Sequence, residues 1–243
     1  MRFFIESSKL KINMRYYLSQ ENFYTQKAKE EGYPARSVYK LQEIDRKFGI
    51  FQAGNAVLDL GGAPGSWLLY ISKKVGPNGR VIGVDTEELK IELPANAIFI
   101  KKSVFDKDFL DTLIRCCHPE ASSNEPKDLA RDSSVAWSDL RMTQQYSIFQ
   151  VVVSDLAPGT TGLHEKDVAD CLELTQRAFE IAGQTLEAGG NFVCKLFEGP
   201  GVDDFIKQVK EKFKVVKRYH PQAIRKGSRE FYLVAKDFIH SVP

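Results

Sequence analysis

Short apolar segments alternate with amphipathic helical segments through most of this chain, and this alternation is the feature that most constrains its fold. Strands are predicted at Ala56–Leu60, Arg80–Asp85, Ala97–Val104, Gln150–Leu156, Asn191–Phe197, Lys214–His220 and Arg229–Lys236. Helices are predicted between them, at Gly65–Val75, Asp108–Cys117, Asp167–Leu186 and Val202–Phe213. Segments as apolar as Val151–Val153 are typical of strands that are buried on both faces. The alternation therefore predicts an α/β fold, a parallel sheet with helices on both faces.

The length and the composition fit one domain. A chain of 243 residues, 43% of them apolar, can bury one substantial core. Two more helices, Ser19–Glu31 and Ala35–Phe48, precede the first strand, and Lys40 lies at the edge of the apolar face of the second. We expect a single domain over residues 19–243, with a disordered N-terminal extension over residues 1–18 and a polar insertion at about residues 118–147.

The composition also excludes several classes of protein. No stretch approaches the roughly 18 apolar residues of a membrane helix, and the N-terminus lacks the apolar stretch of a secretory signal. The cysteines form no C-x-x-C pair, and only His118 lies near them at ligand spacing, which predicts neither a zinc site nor a disulfide framework. We expect a cytoplasmic protein without a metal; a basic presequence leaves a mitochondrial location open in a eukaryote.

Basic residues are concentrated at both ends of the chain. The net charge is only +2, but residues 1–50 carry ten Lys/Arg against six Asp/Glu, and residues 201–243 carry ten against five. Residues 51–200 are acidic, with fourteen Lys/Arg against twenty-one Asp/Glu. Basic ends that flank an acidic body favour a polyanion bound where the two ends meet, with ordinary solvated helix faces as the alternative.

Four charged residues lie where predicted elements end or turn: Lys40, Asp155, Lys195 and Glu230. Three of them have apolar neighbours in the sequence, and a buried charge is costly unless it is paired. A lysine close to two acids and a second lysine indicates a catalytic site, with two structural ion pairs as the alternative. We expect desolvation and Lys40 to lower the pKa of Lys195 toward neutrality, and the two acids to oppose that shift.

A glycine-rich turn follows the first strand and opens the next helix, with the sequence Asp59-Leu-Gly61-Gly62-Ala-Pro64-Gly65. Its spacing is not the G-x-G-x-x-G of dinucleotide-binding folds. Asp59 would repel a diphosphate but would attract a cationic ligand. Asp85 ends the next strand, where a carboxylate can accept hydrogen bonds from the hydroxyls of an adenosine ribose. Together these features favour S-adenosylmethionine over NAD as the cofactor.

Five segments resemble, in the same order, the motifs of the FtsJ/RrmJ family of ribose 2′-O-methyltransferases: Ala35–Leu41 (ARSVYKL), Asp59–Trp67 (DLGGAPGSW), Ser154–Pro158 (SDLAP), Lys195–Phe197 (KLF) and Lys226–Glu230 (KGSRE). The resemblance covers roughly residues 22–238 and implies a Rossmann-like, seven-stranded, mostly parallel sheet with an antiparallel last strand. It implies that Lys40, Asp155, Lys195 and Glu230 are the catalytic residues. For the cofactor it points to Gly61, Gly62, Gly65, Trp67, Asp85 and Asp155.

Two features depart from the family's pattern. Bacterial members carry an acid on the adenine side of the cofactor, where this chain has Lys102-Ser103-Val104-Phe105-Asp106. Either Ser103 or Asp106 takes that place. The second departure is the polar insertion, which is longer than we expect in bacterial relatives.

The resemblance implies methylation of an RNA ribose 2′-hydroxyl with Lys195 as the general base, on a uridine of large-subunit (23S-type) ribosomal RNA. We expect a monomer that acts on this RNA within a large-subunit particle.

Basic and aromatic residues near the site are candidates for RNA binding: Lys27, Lys29, Tyr33, Arg36, Arg225, Lys226 and Arg229. The alternatives are methylation of tRNA or an mRNA cap, and a catalytically silent RNA-binding or ribosome-assembly factor of the same fold.

Overall fold

The computed structural model describes residues 23–117, 148–159, 161–225 and 227–239 of the chain. The expected N-terminal extension and the insertion at about residues 118–147 lie outside these residues. Within them, helix α1 covers residues 23–30, followed by α2 (Val38–Phe48), α3 (Ser66–Val75), α4 (Phe109–Cys117), α5 (His164–Thr185) and α6 (Val202–Lys212). The strands are β1 (Ala56–Leu60), β2 (Arg80–Asp85), β3 (Ala97–Lys101), β4 (Phe149–Ser154), β5 (Leu186–Phe197), β6 (Phe213–Tyr219) and β7 (Glu230–Phe238).

The strands form one seven-stranded sheet in the order β3-β2-β1-β4-β5-β7-β6. Neighbouring strands from β3 to β5 are parallel, whereas β7 is antiparallel to both β5 and β6. This confirms the predicted Rossmann-like α/β fold with an antiparallel last strand. The chain order reverses between β1 and β4, and in open α/β sheets ligands bind outside the carboxyl ends of the strands at such a point.

Helices cover both faces of the sheet because its central strands are apolar on both sides. Val57 and Val153 pack with α2 and α3 on one face. Leu58 and Val152 pack with α4, α5 and α6 on the other. Successive residues of a strand point to opposite faces, so Asp59 falls on the α2/α3 face together with Val57. No helix in the described part of the chain is long and apolar enough to cross a membrane.

Several boundaries differ from those predicted, and local hydrogen bonds explain two of them. Helix α2 begins at Val38 rather than Ala35, because the Ala35 N–H donates to Ser66 Oγ at 2.8 Å and the Ser66 hydroxyl donates to the Ala35 carbonyl at 3.0 Å. Strand β3 ends at Lys101 rather than Val104. There Ser103 begins a turn in which its Oγ accepts from the Phe105 N–H at 3.2 Å.

Asp45 fixes the position of α2, the helix that carries Lys40. Asp45 Oδ1 accepts hydrogen bonds from the N–H groups of Ile50 at 3.1 Å and Phe51 at 3.2 Å. Its Oδ2 accepts from the Tyr70 hydroxyl of α3 at 2.6 Å and lies 2.9 Å from Lys74 Nζ. Burial raises the pKa of the Asp45 carboxyl, but these hydrogen bonds outweigh burial and the pKa is lowered overall. The carboxylate therefore ties α2 both to the chain before β1 and to α3.

We expect Asp45→Ala to lower the free energy of unfolding by about 3 kcal/mol, because it leaves two buried backbone N–H groups and the partly buried Tyr70 hydroxyl without their acceptor. Urea denaturation followed by circular dichroism measures the loss. Glu211→Ala, at an exposed position of α6, is the control and should change the value by less than about 0.5 kcal/mol. Equal values for the two variants would contradict this account of Asp45.

Candidate active site

A cleft of about 640 Å³ opens at the carboxyl edge of the sheet, beside the β1/β4 reversal. The turn after β1 forms one wall, and the residues that follow β2, β3 and β4 form the others. We call it the main cleft; its lining includes Gly61, Pro64, Asp85, Ser103 and Asp155. Its position is the one at which open α/β sheets bind ligands.

The turn after β1 requires glycine because it passes very close to the chain after β4. Gly61 has a φ of 86°, and a Cβ atom at this position would lie 2.8 Å from the Leu156 nitrogen. The N–H groups of Gly61 and Gly62 both donate to the Val84 carbonyl, at 2.8 and 3.1 Å. This close approach joins the ends of β1, β2 and β4 and shapes the floor of the main cleft.

Asp85 lines the cleft at the end of β2 and has acceptor capacity to spare. Its Oδ2 accepts from the Ala63 N–H and its Oδ1 from the Glu87 N–H, both at 3.0 Å. Each carboxylate oxygen has two lone pairs, so one acceptor site on each remains for a ligand. Vicinal ribose hydroxyls are donors of matching spacing, as in the dinucleotide-binding folds.

Five of the predicted cofactor residues do not line the cleft: Asp59, Gly62, Gly65, Trp67 and Asp106. Gly62 and Gly65 shape the turn, and Gly65 is required by a φ of 111° and by Ile91, whose Cδ1 would lie 2.6 Å from an added Cβ. Of the two candidates for the missing acid, Ser103 lines the cleft, whereas Asp106 is exposed and is absent from its lining.

Trp67, one of the predicted cofactor residues, packs its side chain in the core and does not line the main cleft. The side chain is buried in the core between α3 and the sheet. Its Nε1 donates to the Ser37 carbonyl at 3.0 Å, and its ring centroid lies 5.9 Å from that of Tyr232. Trp67 therefore holds α3 against the start of α2.

The structure brings Lys40, Asp155, Lys195 and Glu230 together at one end of the main cleft. Lys40 Nζ, in the first turn of α2, donates to Glu230 Oε1 at 2.6 Å. Lys195 Nζ, on β5, lies 3.6 Å from Asp155 Oδ1, which directly follows β4. All four side chains are between 10% and 16% exposed, so each charge has a partner yet remains within reach of a ligand.

Tyr232 joins the two ion pairs, and the sequence analysis missed it. Its hydroxyl donates to Asp155 Oδ1 at 2.7 Å, Lys40 Nζ lies 5.9 Å from its ring centroid, and it is the cross-strand partner of Lys195. Burial, followed by the charges of Asp155 and Glu230, raises the pKa of Tyr232 well above its usual value. The available signal was its spacing of two residues from Glu230, which places both side chains on one face of β7.

The comparisons with known proteins agree with this geometry. The model of the FtsJ-like methyltransferase family matches residues 33–238. The chain belongs to this family. It is 40% identical to ribosomal RNA large subunit methyltransferase E of Nitratidesulfovibrio vulgaris strain DP4, over 87% of this chain and 90% of that protein. The corresponding protein of Desulfatibacillum aliphaticivorans is also 40% identical, over 87% of each chain.

A solved structure shares the fold at lower identity. A protein of Plasmodium falciparum assigned as a ribosomal RNA methyltransferase superposes with a TM-score of 0.63 at 22% identity, over 85% of this chain and 98% of that one. At that identity the likeness supports the fold of this FtsJ-like methyltransferase and nothing further.

In this FtsJ-like methyltransferase, the pKa of Lys195 is raised, so the two acids prevail over the opposing influences of desolvation and Lys40 that the sequence left in balance. Burial lowers the pKa, but the charges of Asp155 and Glu230 outweigh it. Lys40 does not oppose them effectively, because its ammonium group is paired with Glu230. In the free protein Lys195 is therefore protonated at neutral pH.

The residues predicted to bind RNA are distributed unevenly around the site. Tyr33 is buried beneath Lys73, 4.9 Å from its Nζ, and offers no face for stacking, because its ring packs between α1 and α2. Lys29, Arg225 and Arg229 are exposed, and Lys27 and Arg36 are partly so. Lys226 lies outside the described residues. Arg229 is next to Glu230 and contacts the His164 ring.

Asp59 lies beneath the glycine turn, not in the cleft, which corrects its expected contact with a cationic ligand. The strand alternation turns its side chain toward α3, where it is fully buried and neither carboxyl oxygen has a hydrogen-bond partner among the described residues. Burial, and then the charges of Asp155 and Asp85, raise the pKa of Asp59 well above its ordinary 3.8. Asp59 is thus a buried carboxyl beneath the turn, and its raised pKa favours the protonated form.

Stability should depend on pH through Asp59. The folded state retains a proton that the unfolded state loses above about pH 4, so Asp59 makes the wild type less stable as pH rises toward the folded pKa. The free energy of unfolding of Asp59→Asn, relative to that of wild type, should therefore increase by up to about 1.4 kcal/mol for each pH unit between about pH 4 and the folded pKa of Asp59. Urea denaturation at pH 5, 6 and 7 measures the difference, with Glu211→Gln as the control. A difference that does not change with pH would show that Asp59 is ionised.

Proposed function

We propose that this protein transfers a methyl group from S-adenosylmethionine to a ribose 2′-hydroxyl of large-subunit ribosomal RNA. The observation that carries the proposal is the convergence of two lysine–carboxylate pairs, Lys40–Glu230 and Lys195–Asp155, at the end of the main cleft. The names of the relatives support large-subunit ribosomal RNA rather than tRNA or an mRNA cap. We propose further that the substrate is an assembled or assembling large-subunit particle and that the protein acts on it as a monomer.

The main cleft fits S-adenosylmethionine by the chemistry of its lining. Asp85 has free acceptor sites for the ribose hydroxyls, and glycine at position 61 keeps the floor open where a Cβ would meet the backbone of Leu156. Asp155 adds a carboxylate at the end of the cleft nearest Lys195. When bound, this cofactor supplies an electrophilic methyl group on a positively charged sulfur.

Lys195 is the residue we propose as the general base. A ribose hydroxyl is a poor nucleophile, so a nearby base must take its proton as it attacks. Lys195 is the one of the two lysines that is not held at 2.6 Å by Glu230, and its 3.6 Å contact with Asp155 leaves the amine room to turn toward a substrate. Asp155 then stabilises the ammonium that forms, and the Tyr232 hydroxyl orients Asp155.

The substrate is tested by mapping ribose 2′-O-methylation in total RNA from cells with and without the protein. We expect one methylated nucleotide of large-subunit ribosomal RNA, a uridine, to be lost in its absence and restored by the wild-type gene. A lost site in tRNA or at an mRNA cap would contradict the substrate, and an unchanged methylation map would contradict the activity.

The base is tested by comparing Lys195→Ala with Lys195→Arg in a methyl-transfer assay. We expect both to lose at least about a hundredfold in kcat, because an arginine keeps the charge but stays protonated. Calorimetric titration with S-adenosylmethionine verifies that the cofactor site is intact. If Lys195→Arg retains wild-type activity, the role of Lys195 is electrostatic and another group takes the proton.

A further inference from the structure

A second cavity lies near Lys195, which is not itself part of its lining. It has a volume of about 320 Å³ and lies at the rim of the sheet, between the end of β5, the residues before β7 and the first turn of α5. Its lining is His164, Asp167, Phe197, Gly227 and Arg229. We call it the rim cavity.

The rim cavity is adjacent to the proposed catalytic residues. Lys195 Nζ lies 5.7 Å from the centroid of the Phe197 ring. Phe197 is the cross-strand partner of Glu230, and Arg229 immediately precedes Glu230 in the chain. A molecule in the rim cavity would therefore touch the neighbours of Lys195 and Glu230, namely Phe197 and Arg229.

Lys195 lies between residues that line two separate spaces, although it is not itself part of either lining. Asp155, at 3.6 Å from its Nζ, lines the main cleft, and Phe197 lines the rim cavity. Methyl transfer needs two sites of this kind, because donor and acceptor must be held at once with their reacting atoms aligned. Since the main cleft fits the methyl donor, the rim cavity is the space available to the acceptor beside the base.

The lining of the rim cavity has the chemistry that a nucleotide requires. Phe197 is half-buried and presents an aromatic ring, on which any base can stack. Arg229 is exposed and contacts His164, and a guanidinium group is well suited to a phosphate. Asp167 is the one carboxylate in the lining, and it already accepts hydrogen bonds from the backbone and hydroxyl of Thr161 and from the Gly162 N–H.

We propose that the rim cavity binds the target ribonucleotide, with its base against Phe197, a flanking phosphate at Arg229 and its 2′-hydroxyl directed to Lys195. This inference rests on the function proposed above and assigns the acceptor side of that same site. A cavity of this volume is at the small end of ligand pockets. Its volume is that of a single nucleotide, and we expect the target nucleotide to be unpaired or turned out of a helix when it reacts.

The test compares Phe197→Leu, Phe197→Tyr and Arg229→Gln on large-subunit particles from cells that lack the protein. We expect Phe197→Leu to lower kcat/KM for the particle about tenfold or more, since it removes a stacking surface. Phe197→Tyr keeps the ring and should retain activity within about threefold of wild type. Arg229→Gln should lower kcat/KM for the particle. It should also reduce, by about one, the steepness with which the logarithm of the binding constant for the particle falls with the logarithm of the salt concentration.

Controls separate nucleotide binding from effects on folding or on the cofactor site. Phe48→Leu replaces a half-buried phenylalanine that packs on Tyr219, at the far end of α2, and Arg115→Gln replaces an exposed arginine of α4. Both should retain wild-type kcat/KM. All variants should keep the wild-type dissociation constant for S-adenosylmethionine and the wild-type thermal unfolding midpoint.

The outcomes distinguish this inference from the function on which it rests. If wild type methylates the particle and Phe197→Leu and Arg229→Gln do so equally well, the rim cavity is not the acceptor site and the proposed function stands. Equal losses in Phe197→Leu and Phe197→Tyr would overturn stacking on Phe197. If wild type transfers no methyl group to any RNA, the proposed function fails and the acceptor assignment fails with it.

Discussion

Asp155 Oδ1 is shared by the Tyr232 hydroxyl at 2.7 Å and the Lys195 ammonium at 3.6 Å. Its own N–H donates to the Leu60 carbonyl at 3.0 Å. Through these backbone and side-chain contacts, one residue connects the ends of β1 and β4 to β5 and β7. It lies at the meeting point of the parallel part of the sheet and its antiparallel edge, and both the main cleft and the ion pairs depend on that junction.

Stability alone does not account for the two ion pairs. Removing charged groups from water costs several kcal/mol for each ion, and apolar residues of similar volume often stabilise a fold as well or better. The Lys40–Glu230 and Lys195–Asp155 pairs are nevertheless formed at positions with only 10% to 16% exposure. Their cost is consistent with a chemical role, because partial burial strengthens the electrostatic effect of each group on a substrate.

Much of the architecture and the outline of the site could be predicted from the sequence, because both follow from local patterns. The apolar strands indicated the parallel sheet, and Gly61 and Asp85 indicated the cleft. The roles of Asp59 and Trp67 could not be predicted, since facing a cleft or a core depends on strand register and on packing against α2 and α3. Tyr232 escaped notice for the same reason: in the sequence it is one apolar residue of a strand, and only the pairing of β5 with β7 brings its hydroxyl to Asp155.

The protonation of Lys195 in the free protein implies an order of events. Among the charges that raise the pKa of Lys195, Asp155 has the largest effect and Glu230 the next, and Glu230 is also paired with Lys40. Asp155 is therefore the charged group with the largest effect on Lys195, and of the two acids it is the one that lines the main cleft. A cationic ligand in that cleft would share the charge of Asp155 and so lower the pKa of Lys195. On the roles proposed above, the methyl donor therefore binds first, and the Lys195 amine then loses its proton more readily because the donor shares the charge of Asp155.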